Sequence, residues 1–119
     1  MNENFREFLE RLRQERELTD IKQAVDIRHI ATLVDQSEQA LFFHNVIGYG
    51  MPVVSGILRT QRRATLSMGC SKYPEIEARL RQGIDHPIAP RRVDTAPHKQ
   101  VIKLGDDIDL FKLPIPMSS

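Results

Sequence analysis

Hydrophobic side chains near the amino terminus recur at the spacing of a single helix face. Four of them fall at i, i+3, i+4 and i+7, namely Phe5, Phe8, Leu9 and Leu12. This period is typical of an amphipathic helix. Asn4 can accept a free backbone N–H at the start of the helix, and Glu7 can return a bond to the backbone of Asn4. The pattern therefore predicts a first helix that opens with a capping box.

Two apolar runs in the middle of the chain predict strands. Residues 40–43 form a continuous apolar run, and residues 52–58 are rich in β-branched side chains. Gly48 and Gly50 lie between the runs, and glycine readily adopts the positive φ that tight turns need. We expect a hairpin, or two strands joined by a tight loop, and a further short strand at residues 21–25. The apolar stripe of the first helix should pack onto this sheet.

Three further helices are predicted from capping residues and spacing. Asp26 is a favourable N-cap for the second helix, and residues 60–68 follow a helical pattern for the third. Pro74 suits the first turn of a fourth helix, for which Gly83 is a natural terminating residue. Together with the strands, this order indicates an α/β (α+β) fold, a small mixed sheet with flanking helices.

The last third of the chain differs from the rest because prolines keep it extended. These prolines stand at positions 87, 90 and 97. Residues 100–104 predict a strand, and residues 105–107 predict a turn. Residues 108–111 predict one helical turn capped by Asp107, and residues 113–116 form an extended apolar strip.

The charge balance narrows the classes of partner. With 17 basic and 16 acidic residues in 119, the formal net charge is +1, so we expect neither nucleic acid nor an anionic membrane as partner. The length is that of one domain, and no apolar run reaches the length of a membrane span. Residues 1–17 are too charged for a secretory signal, and Cys70, the single cysteine, excludes an intrachain disulfide. We therefore expect a cytoplasmic protein.

Candidate catalytic and metal-binding residues are sparse. The histidines are scattered without the spacing of a zinc site, at His29, His44, His86 and His98. Asp106, Asp107 and Asp109 resemble the start of a calcium loop, but the acidic residue that would close such a loop is missing. The sequence pattern predicts no catalytic, cofactor-binding or metal-binding residue in this chain.

Three arginines on or beside the third predicted helix could form a basic patch. They are Arg59, Arg62 and Arg63. A nucleic-acid site would be expected to interleave aromatic residues with such cations, and none does so here. We expect a solvated helix face or an interface instead, and the same holds for Arg91 and Arg92. Cys70 is expected to be a small, partly buried apolar side chain rather than a nucleophile.

Four blocks of the sequence, in order, resemble the N-terminal region of the UbiD-type decarboxylases. Residues 4–9 (NFREFL) with residues 18–21 (LTDI) are similar to its start, and residues 25–31 (VDIRHIA) to its next stretch. Residues 40–54 (ALFFHNVIGYGMPVV) and residues 106–116 (DDIDLFKLPIP) resemble two later blocks, which together are the most specific. The blocks span nearly the whole chain.

This resemblance implies a non-oxidative, reversible decarboxylase of aromatic or α,β-unsaturated carboxylic acids. Such enzymes use prenylated FMN held with a divalent metal, usually manganese (Mn2+), and with potassium (K+). The family's flavin-binding asparagine, histidine and glutamate and its catalytic Glu-Arg-Glu set lie beyond the block at 106–116, so none carries over to these positions. Residues 1–96 would form the N-terminal α/β domain, and residues 97–119 would begin the connection into a flavin-binding split-barrel domain.

The resemblance also implies partners. The chain would be an N-terminal fragment, inactive alone, whose partners are the remainder of a homo-oligomeric parent decarboxylase and a small aromatic or unsaturated acid. A second hypothesis is a free-standing interaction or regulatory domain without catalytic activity. A third, a weak nucleic-acid binder, is disfavoured by the balanced charge. The apolar strip at residues 113–116 favours the fragment, because a free-standing domain is expected to end on a polar tail.

Overall fold

A mixed sheet with helices on both of its faces organises the chain, which the computed structural model describes from residue 3 to residue 117. The elements are α1 (Phe5–Gln14), β1 (Leu18–Ile21), α2 (Ile30–Gln36), β2 (Ala40–Phe43), β3 (Val53–Ser55), α3 (Gln61–Ser67) and α4 (Glu75–Asp85). Short 3-10 turns follow at Pro97–Lys99, Gly105–Asp107 and Leu110–Lys112. The predicted fold class, a small mixed sheet with flanking helices, is confirmed.

Both ends of α1 are fixed by local hydrogen bonds. The predicted capping box is present: the backbone N–H of Glu7 donates to Oδ1 of Asn4 at 3.0 Å, and the Asn4 N–H donates to Oε2 of Glu7 at 3.0 Å. At the other end Arg16 adopts a left-handed conformation with φ of 58°. This conformation lets the N–H of Glu17 donate to the Leu12 carbonyl at 2.8 Å, which closes a Schellman motif.

The sheet has the order β1-β2-β3, with β1 parallel to β2 and β3 antiparallel to β2. Leu18 pairs with Ala40 in the parallel ladder, and Phe43 pairs with Val53 in the antiparallel one, as the hairpin prediction requires. The central strand β2 is covered on both faces, which explains why its apolar run is continuous rather than alternating.

Two hydrophobic clusters pack on the two faces of the sheet. One contains Phe8, Leu9, Leu12, Leu18 and Ala40, with Phe42, Val54, Ile57 and Leu66 packed against it. The other contains Ile30, Val34, Leu41, Phe43 and Val46. Alternate side chains of β2 therefore point to α1 on one side and to α2 on the other. The predicted docking of the first helix onto the sheet is confirmed for Phe8, Leu9 and Leu12.

Phe5 does not belong to the buried stripe, contrary to the prediction, because its side chain is 55% exposed. It lies in the first turn of α1 and lines an open groove with Phe42 and Val54. The predicted strand at residues 21–25 is also wrong in position, since β1 is Leu18–Ile21. The left-handed turn at Arg16 starts the strand early, and Val25 retains only an isolated bridge to Val46.

The second helix begins at Ile30, so Asp26 is not its N-cap. Oδ1 of Asp26 instead accepts the backbone N–H of Arg28 at 2.8 Å, which stabilises a turn before the helix. The strand predicted at residues 52–58 is shortened to Val53–Ser55, because Gly56 turns the chain with φ of +83°. A Cβ at Gly56 would lie 3.2 Å from Cγ1 of Val34, so the close approach of α2 favours glycine here.

The third helix is confirmed, with Thr60 as its N-cap. In α4 the prediction that the helix ends at Gly83 is wrong, because the helix continues to Asp85. Residues 100–104 form no strand. The last helical turn is Leu110–Lys112, capped by Asp109, which accepts the Phe111 N–H at 3.0 Å, and not by Asp107.

Burial divides the described chain into two regions. Every buried side chain lies between Phe8 and Thr65. We refer to residues 3–70 as the core region and to residues 71–117 as the outer region, which consists of α4 and the proline-rich arm (residues 86–117). None of the described helices combines the length and apolar content needed to cross a lipid bilayer.

Candidate functional site

The histidines that sequence analysis considered do not converge. His29 is exposed before α2, His86 and His98 lie in the outer region, and His44 follows β2. Among residues 3–117, no three histidine, cysteine or acidic side chains come close enough together to hold a metal ion. Cys70 is half-buried, as predicted, and its Sγ donates only to the Met68 carbonyl at 3.6 Å.

The acidic residues near the carboxyl end form an open surface rather than a calcium loop. Asp106, Asp107 and Asp109 line a shallow depression together with two cations, Lys103 and Lys112. The geometry thus gives these aspartates no role beyond the cap that Asp109 supplies.

A polar cluster that sequence analysis missed joins α1 to the edge of the sheet. Asp20 of β1 accepts two bonds from Arg13, at 2.9 Å from Nε and 2.9 Å from Nη2. Nε2 of His44 lies 2.7 Å from Oδ1 of the same carboxylate. The Arg13 guanidinium lies 5.2 Å from the centroid of the Phe42 ring, and the His44 and Phe42 centroids are 4.7 Å apart.

The electrostatics of this cluster keep Asp20 ionised. The hydrogen bonds from Arg13, and secondarily the contact with His44, lower the pKa of Asp20 to about 2, against partial desolvation that acts in the opposite direction. Asp20 in turn raises the pKa of Arg13. The cluster ties α1 and β1 to His44, which directly follows β2.

The prediction of a solvated face or an interface is wrong for Arg63, which is buried, whereas Arg59 and Arg62 are exposed and pair with carboxylates of the core region. Arg63 is only 1% exposed, and its Nη1 donates to the Glu38 carbonyl at 2.9 Å and to Oε2 of Glu17 at 3.3 Å. Arg62 pairs with Glu17 at 2.9 Å and also with Glu15. Arg59 binds the Val34 carbonyl and Asp35, each at 2.8 Å. In the sequence, only the alternating carboxylates in residues 15–17 indicated possible partners for these arginines.

An apolar surface lies in the outer region. Its stripe consists of the exposed Tyr73, just before α4, and of the half-buried Ile76 and the exposed Leu80 and Ile84 on α4, bordered by Glu77, Arg81 and Asp85. In the arm, the apolar side chains are exposed throughout, at Val101, Leu104, Ile108, Leu110, Phe111, Leu113 and Ile115. Surfaces of this kind usually mark an interface with protein.

A protein site for a divalent metal would need converging carboxylates or imidazoles. Among residues 3–117, no three histidine, cysteine or acidic side chains form such a group. The depressions in the described surface are open and shallow, whereas cofactor sites are concave and enclosing. We accordingly assign no cofactor step to this chain.

Comparison with known families gives one clear match. Residues 9–80, more than half of the chain, match the family described as the 3-octaprenyl-4-hydroxybenzoate carboxy-lyase N-terminal domain, UbiD_N. Pyrrole-2-carboxylic acid decarboxylase of Pseudomonas aeruginosa is 30% identical in an alignment of 132 positions, which covers 96% of this chain and 27% of that protein. The chain thus spans about a quarter of the length of this relative.

Solved structures agree with the sequence match. An evolved dimeric form of the UbiD-class enzyme HmfF from Pelotomaculum thermopropionicum, in complex with prFMN, superimposes with a TM-score of 0.84 and 31% identity. The match covers 96% of this chain and 28% of that enzyme. The vanillic acid decarboxylase of Sedimentibacter hydroxybenzoicus, in an open form, gives a TM-score of 0.78 at 26% identity, with 95% and 26% covered. The fold, the ordered sequence blocks and these matches together place the chain in the UbiD_N family of decarboxylase N-terminal domains.

Proposed function

We propose that this chain serves as the N-terminal domain of a UbiD-class decarboxylase that acts non-oxidatively and reversibly on an aromatic or α,β-unsaturated carboxylic acid. The observation that carries the proposal is the HmfF match, in which 96% of this chain, arm included, superimposes on 28% of an enzyme that binds prFMN. The matching family, described as an N-terminal domain, supports the same position in the enzyme. A cytoplasmic location, which the lone cysteine favours, is part of the same proposal.

The proposal divides the chain by role. Residues 1–96 act as the N-terminal domain, with the sheet as its rigid centre, and residues 97–119 lead towards the flavin-binding part of the enzyme. In that part prenylated FMN, manganese and potassium would be held by residues outside this chain, and the parent enzyme would be a homo-oligomer. The exposed apolar side chains of the arm support this division, because nothing in the described chain covers them.

The chain alone should therefore be inactive. We expect the purified 119-residue polypeptide to carry no flavin absorbance band and to release no CO2 from pyrrole-2-carboxylate when prFMN is supplied. The family resemblance, which places the flavin-binding and catalytic residues outside this chain, motivates this expectation. Flavin that copurifies with the chain, or measurable CO2 release by it, would contradict the proposed division of roles.

A chimera supplies the positive test. In it, this chain replaces the matching 27% of the Pseudomonas aeruginosa pyrrole-2-carboxylic acid decarboxylase. We expect the chimera to bind prFMN and to release CO2 from pyrrole-2-carboxylate. A chimera that folds but binds no flavin would favour the alternative reading, a free-standing interaction or regulatory domain.

A further inference from the structure

Helix α4 has no internal source of stability. It runs for 11 residues, and none of its side chains is buried. Two side-chain bonds fix it to the preceding loop: the N–H of Ser71 donates to Glu75 at 3.0 Å, and Arg79 donates to the Met68 carbonyl at 2.9 Å. Two backbone bonds, from Glu75 to Lys72 and from Ile76 to Tyr73, accompany them. Isolated helices of this length are marginal in water, because most helical stability in proteins comes from packing of an apolar face.

The apolar face of α4 is shaped for a protein partner. Tyr73, Ile76, Leu80 and Ile84 recur at helical spacing on one side of the helix, so their side chains form one continuous stripe. The border is charged but mixed, since Glu77 pairs with Arg81 at 3.2 Å. An anionic membrane or a nucleic acid would favour a cationic border, so the chemistry fits another protein surface with an apolar centre.

We propose that this α4 face is the docking site for the flavin-binding portion of a UbiD-class decarboxylase, and that α4 is a stable helix only when that portion covers it. The inference rests on the proposed function. Two observations identify the occupant. The HmfF match includes α4, since it covers 96% of this chain, and it leaves nearly three quarters of that enzyme outside the match to act as a cover. In addition, α4 leads directly into the exposed arm.

Docking makes α4 a second point of attachment beside the arm. A flexible connection alone would leave the core region free to rotate against the rest of the enzyme. A helix docked through Leu80 and Ile84, and joined to the core region through Arg79, would restrict that rotation. The α4 face would thus set the orientation of the N-terminal domain.

The test compares hydrogen exchange of α4 in the isolated chain and in the pyrrole-2-carboxylic acid decarboxylase chimera. We expect at least 100-fold slower exchange of the α4 amides in the chimera. Leu80→Glu combined with Ile84→Glu should abolish this protection and lower the Tm of the chimera. The matched control, Ala78→Glu combined with Gln82→Glu, adds the same charge to the opposite, exposed side and should preserve both.

The possible outcomes separate this inference from the proposed function. An active chimera with unprotected α4 amides overturns the inference and leaves the proposed function intact. A chimera without flavin and without α4 protection contradicts both. Protection of α4 in the isolated chain also overturns the inference. If that protection rises with protein concentration, the occupant is a second copy of this chain; if it does not, α4 is stable by itself.

Discussion

The core region and the outer region contain similar fractions of apolar side chains but differ in how far they bury them. In residues 3–70 one set of these side chains packs on the two faces of one sheet and forms the buried core. In residues 71–117 they are exposed along α4 and the arm. The difference shows that apolar content alone does not create a core. A segment must also have a second layer to pack against, and the outer region has none within the described chain.

The largest expected effect comes from the same substitution made once in each region. Leu9→Ala removes a side chain that is 5% exposed in the cluster under α1, so the free energy of unfolding should fall by about 2–5 kcal/mol. Leu104→Ala, at a side chain 73% exposed in the arm, should change it by less than about 0.5 kcal/mol. Urea unfolding of both variants measures the difference, and equal effects would remove the distinction between the regions.

The buried arginine gives the next largest effect. Arg63→Met leaves Glu17 and the Glu38 carbonyl without their shared donor, and we expect a loss of about 2 kcal/mol. The loss should be smaller than for a buried carboxylate left without any partner, because Arg62 still binds Glu17. Arg91→Met in the exposed arm is the control, with an expected change under about 0.5 kcal/mol. If Arg63→Met leaves the free energy of unfolding unchanged, the hydrogen bonds of Arg63 contribute nothing to the stability of the core region.

Acid should weaken the core region through Asp20. Its pKa is lowered from 3.8 to about 2 in the folded state, chiefly by Arg13, so its contribution is complete above pH 4 and disappears as the pH falls towards 2. After allowance for solvent screening the contribution is about 1 kcal/mol. The stability gap between the native chain and Asp20→Asn should therefore close between pH 5 and pH 2. A gap that stays constant over this range would refute the assignment.

The smallest expected effect concerns the left-handed residue that ends α1. Arg16 holds φ of 58°, a conformation that costs most side chains energy and glycine almost none. Arg16→Gly should stabilise the chain by about 0.5 kcal/mol after the greater entropy of the unfolded glycine chain is counted. Gln14→Gly, inside the helix, should act in the opposite direction. Thermal unfolding of the two variants at one pH provides the comparison.

Sequence patterns predicted the core region well where a local pattern was compatible with only one structure. Local rules predicted the capping box of Asn4 and Glu7, the strand at Ala40–Phe43 and the third helix, within residues 60–68. Errors came where the local signal was shared by two structures. Asp26 can cap a helix or a turn, and its side chain accepts the Arg28 N–H and so caps a turn.

The site was harder to predict, because its contacts join residues distant in sequence. The sequence around Asp20 does not indicate that Arg13 and His44 will contact it. His44 comes close only because β1 pairs in parallel with β2. Arg63 gave the impression of a solvated residue for the same reason, as its partner Glu17 lies 46 positions away. In the arm, residues 100–104 had the composition of a strand but no neighbouring strand to pair with.

Hydrogen exchange of the isolated chain tests the central claim most directly. If the core region alone carries cooperative stability, amides of β2 and of α1 should exchange only on global unfolding, whereas amides of α4 and of the arm should exchange orders of magnitude faster. Measurement at two protein concentrations excludes protection by self-association. Amides at residues 75–85 and 97–116 that are as protected as those of Ala40–Phe43, at both concentrations, would contradict the account.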